Sequence, residues 1–225
     1  MSDFENELLK IIEERQSALF EIERVVFTKR YNLSRKHFEI FSIQSIAMIY
    51  SIWEGFIQNA FRLYLDELNK KKIEFQKFGD SIVIFHMENT FKQLKLYPQK
   101  DNGKISFYLK LKDFFSNKYH PVSSKIDLKN NVNFEVLNKI LKAFCLKPFK
   151  THWKDYNHPN PNLKDCMYDF LRYRNSVAHG GDISSYEKVT HKVYKKYKKL
   201  VIDLMYEIQN KIAAGIKDET FLKDQ

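Results

Sequence analysis

The first proline of the chain is Pro98, and only two glycines, Gly55 and Gly79, precede it. Proline removes a backbone donor and breaks helix interiors, so so long a proline-free run favours helices. The whole chain holds 6 Gly and 5 Pro in 225 residues, too few for the tight turns of an all-β protein. The expectation is an all-α fold, a helical bundle. A chain of this length fits one domain, 1–225, with a good core better than two small ones.

The apolar spacing divides this chain into helices. Phe4, Leu8, Ile11, Ile12, Leu19, Ile22 and Val26 recur at helical intervals and predict a helix over 3–27. Tyr31-Asn32 breaks it, and Ser34 is placed to cap a long second helix over about 35–70. That helix carries Phe38, Phe41, Ile46, Ile49, Tyr50, Trp53, Phe56, Ile57, Ala60, Phe61 and Tyr64 on one wide stripe, which predicts a central position. Glu54 lies at the stripe's edge. Further on, 81–96 reads as helix and Asn102-Gly103 as a turn. Ile105 to Phe115 mixes alternating and helical patterns, leaving a short helix and a strand both open. Val132 to Leu146 reads as helix and 152–161 as loop. Asn162 can cap a helix over 163–179 that Gly180-Gly181 stops. Ser184 or Ser185 then starts a last helix to about Ala214.

The formal net charge is +10. Such a balance suggests a polyanionic partner, with nucleic acid first and a membrane surface as the rival. Ordinary lysine-rich codon usage would give the same number. Cys145 and Cys166, the two cysteines, sit in apolar helical patterns. They make no disulfide framework and fit a reducing cytoplasm. No run of about 18 apolar residues is read, so no membrane span is expected. The acidic start, MSDFENELLK, lacks the basic and apolar regions of a signal peptide.

One stretch gathers chemistry: LRYRNSVAHGG, Leu171 to Gly181. On a helix, Met167, Phe170, Leu171, Val177 and Ala178 form a buried stripe with Arg174 in its middle. A buried guanidinium needs a partner, and an Arg174–Glu54 pair joining the two helices is expected. Arg172, Asn175 and His179 share another face, about 140° round from Arg174. Arg174 and His179 therefore converge only if the helix end bends or a second chain brings its own copy. A homodimer with paired sites meets that need. A histidine titrating near neutrality moves protons, and an arginine holds a phosphate and offsets its charge. With no metal ligands nearby in the stretch, RNA cleavage by its own 2′-OH is a candidate chemistry for this set. The plainer alternative is a helix-end histidine beside a structural arginine.

The motif Arg174-Asn175-x-x-x-His179 resembles the signature of the HEPN superfamily. The upstream IYSIWEGFIQNAF, Ile49 to Phe61, resembles the aromatic-Trp-Glu helix of RiboL-PSP-type HEPN proteins. The resemblance covers about 35–64 and 132–205, and leaves 73–131 as a candidate insertion of irregular structure. It implies an α-helical bundle that dimerises through the motif-bearing face. It further implies a metal-independent endoribonuclease leaving 2′,3′-cyclic phosphate ends, in a toxin or antiviral defence role, with no cofactor. Under it, Arg174 and His179 are catalytic and Asn175 orients His179 or contacts RNA, with Glu54 and Arg172 in support. RNA and a second copy are the implied partners, with an antitoxin or regulatory protein beside them and no membrane.

Two other readings stay open: a non-catalytic helical module that binds RNA or a nucleotide, and a scaffold partner in a toxin–antitoxin pair. Lys188, Lys192, Lys195 and Lys196, interleaved with Tyr194 and Tyr197, can hold phosphates and stack bases, or can form a solvated face with the tyrosines inward. His152, Asp155 and His158 lie close in sequence, but three such residues in an aromatic-rich loop do not establish a metal site. No glycine-rich phosphate loop and no Gly-x-Ser-x-Gly elbow is present.

Overall fold

The computed structural model describes residues 3–126, 131–153, 162–178 and 189–223. Among them are seven α-helices and no strand: α1 (Asp3–Phe27), α2 (Arg35–Lys70), α3 (Asp80–Thr90), α4 (Asp101–Ser116), α5 (Phe134–Ala143), α6 (Leu163–Ala178) and α7 (His191–Lys217). The all-α bundle expected from glycine and proline scarcity is the fold observed.

Helix starts follow local capping chemistry. The Ser34 hydroxyl accepts from His37 N–H at 3.3 Å and opens α2. Asn162 Oδ1 accepts from Asp165 N–H at 3.2 Å and opens α6. Asn133 does the same for α5, accepting from Val136 N–H at 2.8 Å. The last helix differs from expectation. Thr190, whose hydroxyl accepts from Val193 N–H at 3.3 Å, caps α7 at His191. Ser184 and Ser185, expected to start it, lie outside the described residues.

Around α2 the bundle assembles, with α1, α6 and α7 packed against it. Ile46, Ile49, Trp53, Phe56, Ile57, Phe61, Tyr64, Leu65 and Leu68 are fully buried there. Each such side chain contributes roughly 1.5–3 kcal/mol of burial, which is why α2 is central. By length and composition α2 would also reach across a membrane; the sequence reading did not credit this. Its apolar stripe instead forms the middle of the bundle. The stripe is shorter than expected. Phe38 and Phe41 are exposed, Phe38 meeting Phe27 at the close of α1 edge-on at 5.9 Å.

In the stretch 73–131, α3 spans Asp80–Thr90, and a 3-10 turn, Lys92–Leu94, takes up what looked like its continuation. The ambiguous Ile105–Phe115 is helix, and Asn102-Gly103 lies in the first turn of α4 instead of forming a separate turn. Phe107 and Phe114 point inward, Phe114 meeting Phe75 at 5.2 Å and Phe91 at 5.3 Å. The chain end returns to this layer: Gly79 N–H donates to Phe221 O at 2.8 Å.

Candidate functional site

Tyr50 on α2 anchors the arrangement. Its hydroxyl accepts from Val132 N–H at 2.6 Å, and its ring lies 5.5 Å from that of Phe170 on α6. The ring is buried, and burial pushes the phenol up to about 12, opposed by the Val132 hydrogen bond. The charges of Glu54 and Arg174 act on it in opposite senses, Glu54 raising it and Arg174 lowering it. Tyr50 is thus a neutral aromatic platform throughout the ordinary pH range.

Arg174 uses that platform. Its guanidinium carbon stands 5.0 Å from the centre of the Tyr50 ring, and Nη1–H donates to Asn175 Oδ1 at 3.0 Å. The side chain is half-buried. The expected Arg174–Glu54 ion pair is not formed. The guanidinium turns onto the ring of Tyr50, one helical turn before Glu54, and no ion pair of Arg174 occurs among the described residues. A stacked guanidinium keeps its in-plane N–H groups, so it can still grip an anion with a forked donor set. Asn175 therefore holds Arg174 here.

Arg172, expected on the face of Asn175, is exposed and lies 3.7 Å from Asp169 Oδ1 one turn back. His179, Gly180 and Gly181 lie outside the described residues, as does Lys188. On α7, Lys192 and Lys195 are exposed, while Lys196 stands over the Tyr197 ring at 5.2 Å. The interleaved tyrosines face inward. Tyr197 stacks on Phe170 at 4.9 Å, and the Tyr194 hydroxyl donates to Leu19 O at 2.6 Å. Neither ring is available to a base. Burial raises both phenols well beyond their ordinary value, as expected for structural tyrosines.

Tyr50 is the residue that sequence reasoning missed, having placed it among core residues. The available signal was its position four residues before Glu54 on a stripe facing the arginine-bearing helix. His152 pairs in an isolated bridge with Asn162, whereas Asp155 and His158 lie outside the described residues. No group of three or more metal-ligating side chains occurs among the described residues. Cys166 is buried and its thiol pushed up by that burial, which suits a core residue.

The family model for MAE_28990-like HEPN domains matches residues 4–221, a range that takes in 73–131 as well as α2 and α6. No curated protein and no solved structure matches the chain.

Proposed function

The chain belongs to the MAE_28990-like HEPN family, and from that premise we propose that it is a metal-independent endoribonuclease acting in the cytoplasm as a toxin or defence effector. One observation supports this reading most. Arg174 is half-buried on an aromatic face, held by Asn175, and carries a charge that no ion pair among the described residues neutralises. A cation fixed in that way suits a phosphate that gains charge in the transition state.

In this proposal Arg174 grips the scissile phosphate, and Asn175 positions Arg174. His179, next in sequence after Ala178, transfers protons to and from the 2′-OH and the leaving 5′-oxygen. A second copy brings a second His179, so that one acts as base and one as acid. Lys192 and Lys195, exposed at the start of α7, hold flanking phosphates.

The test is cleavage of mixed RNA with EDTA present, comparing the parent with His179→Ala and analysing the product ends. The expected result is cleavage by the parent alone, leaving cyclic phosphates. Equal cleavage by parent and His179→Ala would overturn the assignment. A folded parent that binds RNA without cutting it would instead mark a binding module.

A further inference from the structure

Helix α4 has two apolar faces, and the fold covers one. Phe107 and Phe114 enter the aromatic cluster beneath. On the opposite side, Ile105, Tyr108, Leu109 and Phe115 are 57%, 62%, 55% and 56% exposed. Isolated exposed apolar residues are ordinary, but a continuous apolar face on a helix already buried on its other side indicates a missing neighbour.

The outer face has a register. Asp101, Ile105, Tyr108, Lys112 and Phe115 follow one another at alternating steps of four and three, the spacing of a helix–helix seam. Asp101 and Lys112 lie eleven residues apart, about 16 Å along the axis, with Ile105 and Tyr108 between them. An antiparallel copy of the same helix, centred between Ser106 and Phe107, sets an acid against a base at each end and apolar residues in the middle. Two-fold pairing requires this self-complementarity.

We propose that α4 docks antiparallel on α4 of a second copy of this chain. Ile105 packs against the partner's Tyr108, and Lys112 pairs with the partner's Asp101. Asp101 already meets Lys104 at 3.1 Å within the chain, yet its side chain is 90% exposed, so its carboxylate can take a second cation. Lys112 has no ion pair among the described residues. A nucleic acid would use the aromatic rings and lysines but not Ile105 and Leu109, which offer no stacking surface. A lipid surface would force Lys112, which lies between Tyr108 and Phe115 on the seam, towards hydrocarbon. A second copy satisfies both the apolar residues and the charges. The interface is separate from the motif-bearing helix and does not depend on the ribonuclease reading.

The experiment is the mass of the full-length chain by sedimentation velocity over a concentration series. The variants are Lys112→Asp, Asp101→Lys and the two combined. All five positions on the seam are exposed, and circular dichroism checks that each variant folds. Each single variant sets like charges together and is expected to halve the parent mass, weakening association at least tenfold. The combined variant restores opposite charges and is expected to recover the parent mass. Three results would overturn the proposal: single variants with the parent mass, a combined variant that stays dissociated, or a parent that keeps its mass with Ile105→Glu. Anionic vesicles or single-stranded RNA captured through this face by a parent whose mass these variants leave unchanged would assign it to that ligand instead. Cleavage, measured separately, reports on Arg174 and His179.

Discussion

Arg174 and Lys198 both lie against aromatic rings, and their surroundings are opposite. Lys198 Nζ stands 4.0 Å from the centre of the Phe20 ring and is ion-paired with Glu23. Glu23 also meets His191 Nε2 at 2.5 Å. Burial pushes the Glu23 carboxyl up, but the hydrogen bonds from Lys198 and His191 outweigh it and hold the carboxyl below its usual range. Arg174 has the ring and, among the described residues, no carboxylate partner. Its support is the neutral Tyr50 below and the amide oxygen of Asn175 beside it. A cation neutralised inside the fold serves the fold. One fixed in place without a counter-charge is ready for an anion from outside.

The largest expected effect tests this contrast directly. Arg174→Ala should lower the cleavage rate about 100-fold or more, the usual cost of removing a donor that stabilises developing charge. Its melting temperature should fall by only a few degrees, since among the described residues the arginine's side-chain contacts are one amide and one ring face. Lys198→Ala should show the reverse. It leaves Glu23 only 12% exposed with one partner fewer, and should destabilise by about 1–3 kcal/mol. That lies below the figure for a fully buried pair because some solvent reaches it. Its cleavage rate, measured where it is folded, should be that of the parent. Denaturant unfolding and initial rates on both variants decide the matter. Arg174→Ala unfolding easily while Lys198→Ala loses activity would exchange the two roles.

What the sequence showed of this arrangement follows from the range of the interactions. Ser34 and Asn162 were legible as caps because each bonds a backbone N–H three residues on. The cores of α1 and α2 were legible because one face is buried and one period repeats. Helix α4 was ambiguous because its residues are apolar on both sides: Phe107 and Phe114 within, Ile105, Tyr108 and Leu109 without. Two faces blur a single periodicity. The site divides in the same way. Arg174 and Asn175 could be grouped from the sequence because they are neighbours in the chain, and their side chains hydrogen-bond each other. The Glu54 pairing was wrong and Tyr50 was missed because both depend on how α2 and α6 are rotated against each other. Composition could not orient Tyr194 and Tyr197 either, whereas packing against Leu19 and Phe170 turns them inward.

Tyr50 sharpens the comparison further, since it has two separable parts. Tyr50→Phe keeps the ring under Arg174 but leaves Val132 N–H without its acceptor, a loss of about 1–3 kcal/mol in stability. Activity of the folded variant should remain near that of the parent. Tyr50→Leu removes the ring as well. A cation–π contact at a half-buried site contributes about 1–2 kcal/mol, so the rate should fall roughly 5- to 30-fold beyond any loss of fold. Equal rates for the Phe and Leu variants would show that the ring does not hold Arg174.

The smallest effect separates the two cations by pH. A carboxyl held below its usual value adds stability that is present above the ordinary value of 4.5 and lost as pH falls through the folded one. Glu23→Gln should therefore be clearly less stable than the parent at neutral pH, and the gap should close on acidification from 4.5 downward. His86 shapes the same limb from another place. Its Nδ1 accepts from Ser123 N–H at 3.0 Å, and burial pushes it down to about 4, so its contribution is full above 6.5 and fades between 6.5 and about 4. That slope is common to the parent and to both variants and cancels in their differences. Arg174→Gln removes a charge that has no carboxylate partner among the described residues, so its gap from the parent should be the same at neutral and at acid pH. If that gap also closes on acidification, Arg174 is paired with a carboxylate in solution, and the distinction between the structural cation and the available one fails.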